Sequence, residues 1–170
     1  MIKAIEPLGK RDRAAFSCGV ASLDDWFRLR AGQDEKRNVA RVFVAIDDQR
    51  EIVGFYSLSS FTLAIADLPP AHAKRLPHYD AIPAALIGPL ARDKKVRGEG
   101  VGDLLLADAV RRVIGAARSL AVFAIVVEAT DEKAAGFYRD FGFVPFPTRP
   151  LRLFMPASEA AQAVSRALSR

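Results

Sequence analysis

The sequence predicts one mixed α/β domain, with a central mixed sheet flanked by helices. Three observations carry that prediction. The first half contains two strand-like runs joined by a short polar turn, the mark of an antiparallel hairpin. The second half runs strand, glycine loop, helix and apolar strand, which is the order of a parallel strand–helix–strand unit. At 170 residues the chain is long enough for one domain with its own core, and no internal repeat divides it.

Each element follows from its residues. Met1–Ile5 reads as a short first strand. Ser22 is placed as an N-cap with Asp25 at the capping-box distance, and Leu23, Trp26 and Phe27 open the apolar face of a helix over 22–37. Val42, Val44 and Ile46 alternate with their neighbours, DDQR turns the chain, and EIVGFYSLSS resumes as strand. Over 66–83, Pro69, Pro70, Pro77 and Pro83 surround a short helix, AHAKRL; proline lacks an amide donor, so this stretch connects rather than pairs. AALIGPLARD reads as a buried strand, KKVRGEGVG as a glycine loop and 102–117 as a helix. LAVFAIVVEA is a continuous apolar run, which implies a strand covered on both faces. DEKAAGFYRDF is helix, closed by Gly142, and LRLFM is a last strand. The polar segment from Pro156 onward forms a C-terminal helix expected to lie loosely on the surface.

Composition excludes several classes. With 51% hydrophobic and 26% charged residues the chain falls among soluble globular proteins. Cys18 is the single cysteine, so no disulfide framework forms within one chain. With only His72 and His78 besides, no zinc cluster of the usual ligand count can be assembled, and no metal site is expected. The start, MIKAIEPLGKRDR, lacks the apolar run of a signal peptide, and no run of apolar residues is long enough to span a membrane. A cytoplasmic location is the expectation. The net charge of +5 is unevenly placed: residues 1–41 hold nine basic against six acidic residues, and 91–118 hold seven against four. That clustering suits a polyanionic partner, whether nucleic acid or a phosphorylated cofactor, although a solvated mixed surface accounts for it equally.

The chemically informative stretch is Arg97-Gly98-Glu99-Gly100-Val101-Gly102, between a strand and a helix. Glycines let backbone amides approach an anion closely, and a helix start adds unpaired N–H groups and a positive dipole end. A pyrophosphate is the natural guest. A P-loop needs Lys and then Ser or Thr after its last glycine, but Asp103 and Leu104 follow Gly102. The dinucleotide pattern begun at Gly98 needs glycine where Asp103 stands, and an acidic residue about 20 positions on. What fits is Arg97-x-x-Gly100-x-Gly102. Taken alone, this pattern also describes a flexible loop leaving a strand.

In its surroundings the loop resembles the acetyl-CoA loop of the GNAT N-acetyltransferase superfamily, Gln/Arg-x-x-Gly-x-Gly/Ala between the fourth strand and third helix. The rest of the order matches too: N-terminal helix, hairpin, loop, long helix, apolar strand, then a helix carrying Phe137-Tyr138 before Phe141-Gly142-Phe143. The resemblance covers nearly the whole chain. It implies a GNAT domain over 1–156 with 157–170 as a C-terminal helix or tail. It implies acetyl-CoA as co-substrate, held by Leu90, Ala91, Arg92, Arg97, Gly98, Glu99, Gly100, Val101, Gly102 and Phe137. It implies Tyr138 as general acid towards the leaving thiolate.

A narrower resemblance is to the acetyltransferase toxins of bacterial toxin–antitoxin pairs, the TacT group. It rests on Phe16-Ser17-Cys18-Gly19, Leu23-Asp24-Asp25-Trp26, Arg41-x-Phe43-Val44 and Val53-Gly54-Phe55-Tyr56-x-Leu58. Leu105-Leu106-Ala107-Asp108-Ala109 and Ala135-x-Phe137-Tyr138-x-x-Phe141-Gly142-Phe143 complete it. It implies a toxin that acetylates the α-amino group of aminoacyl-tRNA, a ribbon-helix-helix antitoxin as partner and a homodimer. The chain departs from the pattern Gly-Arg-Leu-Ala-Val-Asp in the fourth strand, where it has Gly88-Pro89-Leu90-Ala91-Arg92-Asp93. Pro89 removes one amide donor there.

Other residues read more plainly. Cys18 has no histidine nearby in sequence to serve as base and reads as an apolar packer. His72 and His78 are expected in solvent. Glu128, at the end of the apolar strand, reads either as a base or as a cap of the following helix. An α-amino group has a pKa of about 7.7–8.0, so a useful fraction is neutral near neutrality, whereas a lysine at about 10.4 needs roughly 4 kcal/mol to deprotonate there. No acidic cluster stands ready for that second task, which favours an α-amine. Backbone amides at Leu90–Arg92 are the expected donors to the thioester oxygen, and Tyr138 the proton source for the thiolate. Two other functions stay open: acetylation of a small amine or peptide N-terminus, and a non-catalytic CoA-binding regulatory module.

Overall fold

In the computed structural model, which describes residues 1–169, alternating apolar residues build the expected hairpin. β1 (Ile2–Pro7) pairs antiparallel with β2 (Arg41–Asp47), which pairs antiparallel with β3 (Ile52–Ala64). β4 (Ala81–Arg92) runs parallel to β5 (Ala124–Glu128), and the connection between them contains α4 (Val101–Ala116). β6 (Val144–Phe146) and β7 (Arg149–Pro156) form a second hairpin, with β7 antiparallel to β5. The strand order is β1-β2-β3-β4-β5-β7-β6, a seven-stranded mixed sheet. β6 is absent from the sequence reading because Pro145 stands at its centre and Pro147 follows it directly. Prolines argue against a central strand, yet the end of a sheet tolerates them.

The chain divides into two compact units, Met1–Ser59 with Gly88–Ala109, and Ser60–Ile87 with Val110–Arg170. In the first, α1 (Ala21–Asp25), a π-helical turn (Trp26–Arg30) and α2 (Ala31–Lys36) follow without a break over the expected helix. Their apolar face sets Phe27 on Phe55 in a stack at 4.2 Å, with Phe16 edge-on to Phe27 at 5.0 Å. Leu8, Val42, Val44 and Ile52 complete this core. The helix start differs from expectation. Val20 is the N-cap, Ser22 sits inside the first turn, and Asp25 makes no capping bond. The reason is Asp24: its carboxylate accepts from the Cys18 amide at 2.8 Å and the Ser17 hydroxyl at 3.2 Å, which folds the preceding chain onto the helix from within.

The second unit is built on β5, whose Ala124, Ile125, Val126 and Val127 are wholly buried, as a strand covered on both faces requires. Of the apolar run before it, Leu120 is 75% exposed, and the strand begins at Ala124. Leu63, Ile82, Phe146 and Phe154 pack with Ala124 and Val126. The end of the proline-rich connection does pair: β4 starts at Ala81, so Pro83 lies within the strand, where only its carbonyl is needed. The rest of the connection yields a 3-10 turn (Ile65–Asp67) and α3 (Pro70–Ala73). Its His72 is not solvated as expected: the ring stands edge-on to Phe154 at 5.2 Å, and its Nδ1 is buried without a hydrogen-bond partner among the described residues. α5 (Glu132–Phe141) ends at Gly142, whose φ of +126° turns the chain out of the helix. The C-terminal helix, α6 (Ala157–Leu168), is packed rather than loose, because Ala160, Ala163 and Val164 bury one face. Arg170, the last residue of the expected tail, lies outside the described residues. No helix among the described residues is long and apolar enough to cross a membrane.

Candidate active site

The approach to the glycine loop is pinned by a carboxylate the sequence does not single out. Asp93 follows β4 and is 4% exposed. Its Oδ1 accepts from the Lys95 amide at 3.0 Å, starting a short helical turn over Lys94–Val96, and its Oδ2 accepts from the Ser17 amide at 3.1 Å. The Lys94 amide returns a bond to the Ser17 carbonyl at 2.9 Å. Asp24, on the other side of Ser17, is pushed up by burial, but hydrogen bonds from Cys18 and Ser17 and the nearby Arg28 charge outweigh that, so its carboxyl sits below the ordinary value. Two buried carboxylates thus hold residues 16–18 against the end of β4. An aspartate directly after a strand and two residues before an amide it accepts from is the only local sign of this.

Beyond that turn the chain is open. Arg97, Gly98, Glu99 and Gly100 are all exposed, and Gly98 and Gly100 take φ of +81° and +78°. A side chain is disfavoured at both, and nothing lies within 4 Å of where a Cβ would stand. α4 begins at Val101, and its first bond runs from the Leu104 amide to the Gly100 carbonyl at 3.2 Å. The amides of Val101, Gly102 and Asp103 precede that bond and are left for an outside acceptor. Two left-handed glycines, a free helix start and an exposed guanidinium make an anion cradle. Glu99 and Asp103 offset part of its charge.

Leu90, Ala91 and Arg92 lie on the last turn of strand before Asp93. The Pro83 carbonyl faces β5, accepting from the Phe123 amide, while the Asp93 amide faces β3, donating to Val53. Both positions are odd-numbered, so unbroken alternation would turn them to one edge; β4 therefore slips by one residue between them. Pro89, which has no amide to lose, falls within that interval.

The residues from Leu90 to Gly102 belong to the first unit, and Phe137 and Tyr138 to the second. In α5, Asp131 is the N-cap, accepting from the Ala134 amide at 2.8 Å. Glu128 therefore does not cap this helix. It pairs instead with Arg152 across β5 and β7, at 3.0 Å from Nε. Tyr138 is 5% exposed, its ring tilted against Phe137 at 5.3 Å and edge-on to Phe143 at 5.9 Å. Its hydroxyl has no hydrogen-bond partner among the described residues. Burial pushes its pKa from 10.0 to about 12, so the phenol keeps its proton at any ordinary pH. Cys18 is only half-buried, and burial with the Asp24 carboxylate beside it pushes the thiol up to about 11. No thiolate nucleophile is available there.

The family described as the acetyltransferase (GNAT) domain matches residues 38–145. The chain is 35% identical over 164 residues to a probable toxin TacT of Sinorhizobium fredii NGR234, covering 91% of each chain. It is 40% identical over 149 residues to the tRNA-acetylating toxin of Mycobacterium tuberculosis H37Rv, covering 88% of each. Among solved structures, AtaT complexed with acetyl-methionyl-tRNA superposes with a TM-score of 0.84 at 28% identity, over 94% of this chain and 97% of that one. A tyrosine-to-phenylalanine variant of the AtaT toxin, bound to the C-terminus of the antitoxin AtaR and acetyl-CoA, superposes with a TM-score of 0.80 at 25% identity, over 94% and 96%.

Proposed function

The chain belongs to the GNAT acetyltransferases, and from that premise we propose that it acetylates the α-amino group of aminoacyl-tRNA with acetyl-CoA, as a toxin that blocks translation. The observation that carries the reading is the cradle at the start of α4, where Gly98 and Gly100 leave open space beside exposed Arg97. The kinship with a tRNA-acetylating toxin supplies the acceptor. The co-substrate brings an activated thioester and a pyrophosphate. The amides of the Gly98–Gly102 stretch and the Arg97 guanidinium hold the pyrophosphate; Glu99 and Val101 shape the loop. Leu90, Ala91 and Arg92 offer backbone donors where negative charge develops on the thioester oxygen. Phe137 supplies an apolar wall.

Tyr138 is the proton source for the departing thiolate. With its pKa held near 12 it is protonated throughout the working range, and its unpaired hydroxyl is free to donate. No base is needed on the amine side, since an α-amine titrates at about 7.7–8.0. A substrate of this kind places the work in the cytoplasm. A ribbon-helix-helix antitoxin as the partner that silences the toxin, and a homodimer as the assembly, complete the proposal.

The test is direct. Purified protein, acetyl-CoA and charged tRNA should yield N-acetylated aminoacyl-tRNA, with binding that weakens steeply as salt rises because neutralised phosphates release counterions. Induction of the protein alone should arrest growth. Acetylation of small amines or peptide N-termini with untouched aminoacyl-tRNA would move the acceptor elsewhere, and CoA binding without thiol release would make the chain a regulatory module.

A further inference from the structure

The segment Val53-Gly54-Phe55-Tyr56 of β3 and the segment Leu105–Ala109 of α4 are separate in sequence, and neither belongs to the proposed site. They meet face to face within the first unit. Gly54 and Tyr56 are two apart on a strand and so share one face, while Val101, Leu105 and Asp108 share one stripe of a helix. A methyl group at Gly54 would stand 2.8 Å from Leu105 Cδ1, 3.3 Å from Val101 Cγ1 and 3.3 Å from the Ala91 carbonyl oxygen. Gly54 has no positive φ; what requires glycine here is close approach. One turn along, the Tyr56 hydroxyl donates to Asp108 Oδ2 at 2.5 Å, and Tyr56 is wholly buried under a stacked Phe43 at 5.2 Å.

We propose that Gly54, Tyr56 and Asp108 form a two-point clamp that positions the acetyl-CoA loop. The hydrogen bond fixes how far α4 slides along β3, and the bare Cα of Gly54 fixes how deeply its first turn sinks. Gly54 lies against Ala91 and Val101 together, one from each piece of the proposed cradle, so its clearance sets the distance between them. The inference rests on the acetyl-CoA reading given above. An added methyl at Gly54 displaces Leu105 Cδ1 and presses on both the Ala91 carbonyl and Val101 Cγ1, so Gly54→Ala is expected to shift the helix start relative to β4.

The experiment is calorimetric titration of the full chain with CoA, alongside acetyl-CoA kinetics and thermal melts, for wild type, Gly54→Ala, Tyr56→Phe and Asp108→Ala. The clamp predicts a CoA Kd and an acetyl-CoA KM raised about tenfold in each folded variant, with kcat at saturation within about twofold. Tyr56→Phe should add little further loss in the Asp108→Ala background, because the bond the two share is already gone there. Lowered melting temperatures with unchanged Kd and KM would overturn the clamp and leave these residues as packing. If Gly54→Ala does not fold, the two side-chain variants decide the matter by the same measure. Failure of the wild type to bind CoA would instead overturn the cofactor reading, and the clamp with it.

Discussion

Two buried tyrosines differ in whether the fold itself holds their hydroxyls. Tyr56, in the first unit, is wholly buried with its hydroxyl bonded to Asp108. Tyr138, in the second, is nearly as buried, yet its hydroxyl is unpaired among the described residues. The ring of Tyr138 is buried, but its hydroxyl is not among the side-chain atoms shut off from solvent without a partner, so it stands at the rim of its own packing. A phenylalanine would fill the same space. The paired tyrosine is explained by its own structure, while the open hydroxyl of the other suits the proton donor proposed for the thiolate.

The sharpest way to break this contrast lies outside both rings. Gly100→Asp puts a carboxylate into the cradle and a side chain where φ is +78°. CoA binding should fall below detection by calorimetry in a variant whose circular dichroism is unchanged. Retained affinity would mean that the loop is only a connector.

Next in size is Tyr138→Phe. The ring and its packing beside Phe137 and Phe143 remain, so acetyl-CoA affinity should hold, while kcat falls by about 10²–10⁴ and toxicity disappears with it. Tyr56→Phe should behave oppositely, with KM raised and kcat nearly kept. Should both variants lose kcat alike, the distinction between the two hydroxyls is void.

The same contrast has a pH signature. Tyr138 titrates near 12 in the folded chain against 10.0 ordinarily, so the unfolded chain gives up that proton first. Its contribution to stability is whole below pH 10 and is lost as pH rises towards 12, by about 2–3 kcal/mol. The urea midpoint of wild type, less that of Tyr138→Phe, should therefore fall over that window. A difference flat from pH 9 to 12 would show the phenol to be less buried than it stands here.

The smallest effect is expected at Cys18. A thiol pushed up to about 11 is a poor nucleophile near neutrality, so Cys18→Ala should keep acetylation within about twofold, and iodoacetamide should react slowly at pH 7.5. Rapid alkylation that abolishes activity would reopen a role for it.

How much of this was legible from residue order varies by kind of feature. The hairpin, the parallel unit, the glycine loop and the helix end at Gly142 were readable, because each is written in neighbours a few positions apart: alternation, a turn, a glycine where φ must be positive. β6 was not, since Pro145 and Pro147 mask the pairing its edge position permits. The helix start was misplaced from Ser22 to Val20 because Asp24 bonds backward to Cys18 and Ser17, a choice that depends on where residues 16–18 are held.

The sequence by itself determined the class of fold, the glycine loop at Arg97–Gly102 and the presence of a tyrosine at 138. Tertiary structure alone decided which polar groups are buried and with whom. Ser17 meets Asp93 across 76 positions, Tyr56 meets Asp108 across 52, and Glu128 meets Arg152 rather than the helix beside it. Local periodicity fixes which face of an element is apolar, but it holds no record of which distant carboxylate that face will meet. Desolvation is a property of the assembled surroundings, so the unpaired, proton-retaining hydroxyl of Tyr138 exists only once α5 has packed.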